Sequence, residues 1–550
     1  MAFIVKKKIH GNDYFYLRES KRVDGKVKSI DLGYLGKTRE EAEKKMRERL
    51  KKDSSQDIKM KKEISPTKIS VEEMARFCKK KGFIYQSGEI YGGFAGFWDF
   101  GHLGVELNNN LKSEWWKFHV RQRRDMVGID GSIITSPQVW KASGHVDSFM
   151  DIAVQCKKCG HKSKVDKHEL GKINCEKCSG EYENKGHFYP MMVTQVGPIE
   201  EESIKSYLRP ETAQLIFTNF KFVQENARMK LPFGIAQIGK SFRNELSPRE
   251  FLFRSREFEQ MEIEYFIEPG QKCPYEIPDE EILIYSAEAQ EKNLEPVKMN
   301  IKEALKKKLI KKDWHAYWLA TEFSWFKNLG ANENNFRARQ HTSDERSHYS
   351  VDTWDLEYKF PMGWRELQGF ADRGDFDLSQ HEKFSKKDLS IFNEETKKKI
   401  LPHVICEPSL GVGRALLVFM FDSYYEDKER GNVVLKLSPK LAPIKAAVFP
   451  IVKRPEFEKI AENILKDLEE EWNVLYDKSG SIGRRYARND EIGTPFCITI
   501  DETSLKRKDV TIRDRDTTKQ VRVKISELKN ILRKLIDKKI KFEDSGKLVK

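Results

Sequence analysis

No stretch of this 550-residue chain comes near the ~20 consecutive apolar residues of a membrane-spanning helix. The opening, MAFIVKKKIH, turns basic after five positions, too soon for a secretory signal. Both absences point to a cytoplasmic protein. With 39% hydrophobic and 34% charged residues, the composition is that of a soluble globular chain. The length is enough for two to four domains with real cores. Cysteine is scarce too: there are eight, four of them scattered (Cys78, Cys273, Cys406, Cys497) and read as small buried hydrophobes.

The other four stand in a C-x2-C-x15-C-x2-C array, Cys156, Cys159, Cys175 and Cys178. Paired knuckles at this spacing can set four thiolates around Zn²⁺, and in a cytosolic chain a metal is favoured over disulfides. Four thiolates leave no open position, so the expected site is structural. A metal-free ribbon or redox-active pairs are the alternatives.

The net charge of +14 is unevenly spread. Residues 1–62 hold 19 Lys and Arg against 10 Asp and Glu, leaving a surplus of only five elsewhere. Such a head either binds a polyanion or serves as a solubilising tail. Gly11-Asn12-Asp13 and Asp24-Gly25 mark turns between short strands, and Thr38 with Glu41 opens a helix carrying Ala42, Met46 and Leu50. A β-β-β-α module over 1–53 and a linker over 54–63 are expected. The head loosely resembles small basic modules of transposases and integrases.

Further on, a helical pattern leads into the strand IDGSIITSP, ending at Pro137. Residues 270–335 read as a Lys-rich insertion, helical around 301–312. From Ala442 the pattern alternates: AAVFPIV as a buried strand, then a helix face of Phe457, Ile460, Ala461, Ile464 and Leu468. The strands TPFCITID and VTIRDRD and a last helix with Leu528, Ile531, Leu532 and Leu535 complete it.

The densest signal is QIGKSFRNELSPREFLFRSREFEQMEIE, residues 237–264. Arg243 and Glu245 precede a polar turn, and Arg254, Phe258 and Glu262 follow at strand-like spacing. These charges suit the gripping of ATP on an antiparallel hairpin. EPSLGVGRALL supplies Glu407, Ser409 and Arg414 before an apolar helix. Together the segments resemble motifs 2 and 3 of class II aminoacyl-tRNA synthetases. YLRPETAQ, DLEYKF and GSIGRRY narrow the resemblance, which covers about residues 64–550, to glycyl-tRNA synthetases of the dimeric, single-polypeptide type.

The resemblance implies an α+β fold: a catalytic domain over 64–441 on an antiparallel sheet, a zinc ribbon at 154–186 and an α/β anticodon-binding domain over 442–550. It implies glycine–tRNA ligation using ATP with magnesium, tRNA(Gly) as partner, and a homodimer built on the helix–strand–Pro segment. Arg243 would bridge the α-phosphate and the glycine carboxylate, as a planar bidentate donor can. Glu245 would accept from the adenine amino group, Phe258 stack beneath the ring, Arg414 reach the γ-phosphate, and Arg254 hold the bent triphosphate. Glu407 and Glu366 would hold Mg²⁺. Glu211, Glu262 and Ser409 would form the glycine pocket. Arg484, Arg485, Arg488, Arg513 and Arg515 would face tRNA, or else form internal ion pairs.

Three departures from the family pattern stand out: His102 replaces a Pro, Leu215 replaces a Gly, and Cys406 precedes Glu407. The last two are expected to disturb strand register locally. The rivals are a non-enzymatic synthetase-like accessory subunit, which would lack the ATP arginines, and a ligase of the same fold for another amino acid. Synthesis of diadenosine tetraphosphate is a further possibility.

Overall fold

The computed structural model describes residues 69–550 apart from 149–150, 166–170, 172, 189, 346–349, 395 and 550. Before them it describes Thr38 and the backbone of Ala2–Ile9, Asn12–Val23 and Lys26–Gly36. The chain divides into two compact units, Met1–Pro66 and Thr67–Lys550.

In the first unit the three strands form an antiparallel meander in chain order. The helix expected after Thr38 and the linker over 54–63 lie outside the described residues.

The second unit is organised on a nine-stranded sheet. Its spatial order is Val297–Asn300, Glu281–Tyr285, Phe336–Gln340, Asp352–Phe360, Gly363–Asp372, His403–Gly411, Glu257–Ile267, Phe233–Phe242 and Met126–Ile129. Neighbours run antiparallel except for two pairs: Glu281–Tyr285 with Phe336–Gln340, and Met126–Ile129 with Phe233–Phe242.

Side chains alternate across a strand, and Glu257–Ile267 shows what this does. Met261, Ile263 and Tyr265 enter the main core, where Tyr265 meets Trp314 and Trp318 at ring separations of 5.1 and 5.3 Å. Gln260, Glu262 and Glu264 take the opposite face and are also buried. One strand thus supplies the core on one side and a buried polar row on the other.

Two helices cover the apolar face. Val412–Ser423 and Asp313–Asn328 are hydrophobic nearly all round because they are enclosed. The second of these corrects the reading of 270–335 as a helical insertion. The segment contributes sheet strands at 281–285 and 297–300, a short helix Ile301–Lys306, and a 16-residue helix whose aromatic side chains join the main core. The Lys-rich stretch at 306–312 is one of several parts of it that face solvent, while the helix after it is buried.

The helix His102–Trp116 and the strand Met126–Ile129 follow the expected order. Beyond it the chain breaks, and Ile134–Thr135 pairs in a separate three-stranded sheet with Ile204–Leu208 and Val193–Val196. Pro137 opens the helix Pro137–Ala142 under the Ser136 cap. His102 takes the first position of its helix with Gly101 as N-cap, so the substitution costs no turn.

The C-terminal part is a six-stranded sheet. Val474–Tyr476, Ala446–Pro450 and Phe496–Ile500 run parallel, and Asp509–Asp514, Gln520–Lys524 and Lys547–Leu548 continue antiparallel. The helices Pro455–Glu469 and Leu528–Ile536 pack their apolar stripes on it. Where this sheet meets the larger one, buried Lys445 donates to the carbonyls of Pro439 (3.0 Å) and Lys440 (2.6 Å). Burial lowers its ammonium to about 7.

Candidate active site

The strands Phe233–Phe242 and Glu257–Ile267 pair antiparallel from Phe233↔Phe266 to Phe242↔Glu257. Arg243 and Glu245 lie just past the end of the first, and Arg254 and Phe258 enter the second. All four line a cleft of about 460 Å³, together with Glu366 and Arg414. Arg254 Nε donates to Glu245 Oε2 at 2.9 Å, and the Arg243 guanidinium lies 5.4 Å from the Phe258 ring centre. Arg414, in the first turn of Val412–Ser423, stacks on Phe253 at 4.5 Å and reaches Glu366 Oε2 at 3.3 Å. Phe253 is a site residue that the sequence conceals, because FLF reads as core.

A second cavity of about 250 Å³ adjoins the first, with Arg243, Gln260, Glu366 and Ser409 lining both. It also contains Glu211, Glu262 and Glu407. Ser409 Oγ donates to Glu262 Oε1 at 2.6 Å, and Thr212 Oγ1 donates to the other Glu262 oxygen. Glu211 Oε2 faces His145 Nε2 at 3.4 Å. Burial raises the Glu211 carboxyl, but His145 and Arg373 outweigh it and hold it well below the usual range. Burial and the Glu211 charge push Glu262 up. The cavity therefore presents carboxylates to whatever enters it, which suits a small cation.

Glu407 stands apart from the other expected nucleotide-site residues. It is buried, takes a 2.9 Å hydrogen bond from Arg373 Nη1, and lines the smaller cavity but not the larger cleft. Burial lifts its carboxyl to about 8 against the pull of Arg373. Its oxygens lie with those of Glu262 and Glu264 in an acidic group close enough to hold a cation, away from the nucleotide cleft, whereas Glu366 opens onto that cleft beside Arg414. Arg373, which also binds Asp377 (2.7 Å), closes the stretch WRELQGFADR that holds Glu366, but the sequence assigned it no role.

The departures at Leu215 and Cys406 leave this geometry intact. Leu215 is buried in the helix Ala213–Ala227 and lines neither cavity. The register shift beside Cys406 falls between Tyr265 and Phe266, so Glu262 stays opposite Ser409.

One line of opposed residues crosses the sheet here: Asp355 pairs with Gly369, Gly369 with Ser409, and Ser409 with Glu262. A Cβ on Gly369 would meet nothing nearer than 3.8 Å, so the missing side chain leaves open space in the cavity. His341 joins the line through a 2.7 Å contact of Nε2 with Asp355 Oδ2 and lines the same cavity. The sequence reading gave neither residue a role, because both roles arise from pairing register.

The four array cysteines lie together, with sulfur pairs Cys156–Cys178 at 3.4 Å and Cys159–Cys175 at 3.6 Å. A tetrahedron of thiolates at ~2.3 Å from zinc has edges of ~3.8 Å, so the set fits that ion.

The five arginines expected to face tRNA divide. Arg485 is buried and donates to the Pro450 carbonyl (2.6 Å), Arg513 makes a bidentate pair with Asp490 (2.8 and 3.0 Å), and Arg515 donates to the Gly493 and Leu437 carbonyls (2.8 and 2.7 Å). These three hold the C-terminal part together. Arg484 and Arg488 are exposed, the latter paired with Asp477.

Comparison with known proteins adds the following. An anticodon binding domain family matches residues 445–535. The glycine–tRNA ligase of Thermobifida fusca is 42% identical over 489 residues, covering 84% of this chain and 97% of the relative. That of Acetivibrio thermocellus is 43% identical over 494 residues, covering 84% and 97%, and that of Bifidobacterium longum 43% over 486 residues, covering 83% and 91%. Among solved structures, a prolyl-tRNA synthetase from Cryptosporidium parvum aligns with a TM-score of 0.53 at 15% identity, covering 86% of this chain and 77% of that one. At that identity the likeness is one of fold alone.

Proposed function

Because this chain belongs to the glycine–tRNA ligase family, we propose that its two adjoining cavities are the nucleotide and glycine halves of one activation site. The protein is an aminoacyl-tRNA ligase that joins glycine to tRNA at the expense of ATP. The carrying observation is the shared wall of Arg243, Gln260, Glu366 and Ser409 between a cleft rich in arginine and a cavity rich in carboxylate.

Activation is the attack of a carboxylate on the α-phosphorus of ATP. The nucleophile is already anionic, so alignment and charge neutralisation set the barrier. Arg243 stands where the two cavities meet and would bridge the glycine carboxylate and the α-phosphate. Phe258 would stack beneath adenine and Glu245 accept from its amino group. Arg254 and Arg414 would take the triphosphate. Mg²⁺, when bound with ATP, offsets phosphate charge, and Glu366 is the carboxylate placed to hold it. Glu211 and Glu262 would receive the ammonium, and Ser409 fixes the Glu262 carboxyl. Glu407 then belongs to the glycine half.

We assign Cys156, Cys159, Cys175 and Cys178 to a structural zinc, residues 1–53 to an appended module, and anticodon contact to Arg484 and Arg488. A homodimer is the proposed assembly. Its support is the small sheet continuing from the Met126–Ile129 strand, where Ile134, Val196 and Ile204 share one face and are 46, 46 and 62% exposed. The cytoplasm is the proposed compartment.

The test is ATP–pyrophosphate exchange with glycine, alanine, serine, threonine and proline in parallel. Exchange with glycine alone supports the assignment, and exchange with another of the five overturns the pocket.

A further inference from the structure

Activation leaves glycine as an adenylate without moving a proton, whereas the second half-reaction must deprotonate a ribose hydroxyl, a weak acid. The roles assigned above to cations and carboxylates in activation include no proton acceptor for that step. His341 is placed to be one.

Its backbone N–H donates to the Thr353 carbonyl at 3.0 Å, which anchors it at the end of Phe336–Gln340. Its Nε2 meets Asp355 Oδ2 at 2.7 Å, and Asp355 is buried. A neutral imidazole that donates from Nε2 carries its lone pair on Nδ1, the arrangement in which an acid orients a base. Asp355, Gly369, Ser409 and Glu262 lie in that order across four neighbouring strands. At ~4.8 Å per strand, Asp355 and the ammonium-binding acid are ~14 Å apart at the backbone, and His341, one strand beyond Asp355, stands on the far bank of the cavity with its side chain turned back to Asp355. Gly369 leaves the middle open. Arg243, Glu262 and His341 line this one cavity, so a glycyl group held between the first two would share it with the imidazole.

We propose that His341 is the general base of the transfer step, taking onto Nδ1 the proton of the terminal ribose hydroxyl of tRNA. As the proton leaves, the hydroxyl oxygen bonds to the glycyl carbonyl carbon. The bond from that carbon to the phosphate oxygen breaks, and AMP departs with the electron pair. Asp355 stabilises the imidazolium until the proton passes to solvent. The inference rests on the glycine-pocket assignment.

The groups facing His341 are Asp355, Glu345 and Glu366, with Arg243 on the cavity wall. Burial lowers the imidazole, but the hydrogen bond and charge of Asp355 outweigh it, and the two glutamates act in the same direction, so the net shift is upward. Transfer should therefore rise with pH through a midpoint above ~6.5 and level off.

The experiment pairs glycine-dependent pyrophosphate exchange with single-turnover transfer from enzyme-bound glycyl-adenylate to tRNA. It uses the full chain as wild type, His341→Ala and His341→Gln. In both variants transfer should fall ~100-fold further than exchange, in the range of general-base catalysis, and its acid limb should vanish. His341→Gln can still donate to Asp355, so recovery of transfer in that variant would make His341 a positioning residue and overturn the proposal. Equal losses in both assays, or unchanged transfer, would overturn it too. Absence of glycine exchange in the wild type would remove the pocket assignment and this inference together.

Discussion

Ser409 and Glu262 sit directly opposite on neighbouring strands, and the serine hydroxyl donates to the glutamate at 2.6 Å. The bond settles which way a buried carboxylate points before any ligand arrives. A hydrogen bond to a charged group is worth about 1.5–3 kcal/mol. Ser409→Ala should accordingly raise the KM for glycine in exchange by roughly 10- to 100-fold, leaving the KM for ATP within about threefold. Equal rises in both constants would detach Ser409 from the glycine half.

Gly369 gives a sharper test of the same cavity. A methyl there meets no atom closer than 3.8 Å, so Gly369→Ala should fold with a Tm within about 2 °C of wild type. The methyl occupies substrate space, however, and glycine KM should rise by at least tenfold. A normal KM would place glycine elsewhere.

Arg243 and Arg414 each stack on a phenylalanine, at 5.4 and 4.5 Å. Lysine cannot reproduce a planar fork. Arg243→Lys should therefore lose at least about 100-fold in kcat/KM for exchange, close to the loss in Arg243→Ala. Full activity in the lysine variant would reduce Arg243 to a charge.

The two kinds of C-terminal arginine separate folding from binding. Arg513→Ala leaves buried Asp490 with Arg430 (3.1 Å) but without its bidentate partner, a change of about 1–3 kcal/mol. It should lower the Tm of the C-terminal part measurably. Arg484→Ala should leave the Tm unchanged, weaken tRNA binding, and make the salt dependence of that binding shallower by ~1 in log–log slope. The opposite pattern would exchange the two roles.

Lys445 sets a pH dependence of stability. Burial depresses its ammonium to about 7, so the unfolded chain holds a proton that the folded one has lost between there and ~10.4. Stability from this residue therefore rises with pH above 7, by up to about 1.4 kcal/mol per unit. The Tm difference between wild type and Lys445→Met should shift in favour of wild type from pH 7 to pH 9. A difference that stays flat would mean that the ammonium is solvated.

Much of the site could be read in one dimension because its parts are local. Arg243, Glu245, Arg254 and Phe258 lie on one hairpin, and Glu262 follows by simple alternation. His341, Gly369 and Arg373 could not be read that way, since each owes its place to which strand lies beside which. The C-terminal arginines misled for a related reason. GRRYAR looks like a basic face, yet Arg484 and Arg488, one turn apart, share the exposed side while Arg485, next to Arg484, is turned inward. Segment 270–335 misled by its lysines, while Trp314, Tyr317, Trp318 and Trp325 marked the buried helix.

The cysteine ribbon and segment 270–335 have opposite prospects in evolution. The ribbon is hung on Asp151–Cys156 and Tyr182–Phe188, antiparallel neighbours whose far ends, Asp151 and Phe188, are paired. Such a graft enters and leaves the host at one point, so lineages are free to lengthen, trim or discard it while the sheet keeps its register. Segment 270–335 holds two edge strands of the nine-stranded sheet and a helix of its core, so trimming it would bare apolar surface that the ribbon's loss would not.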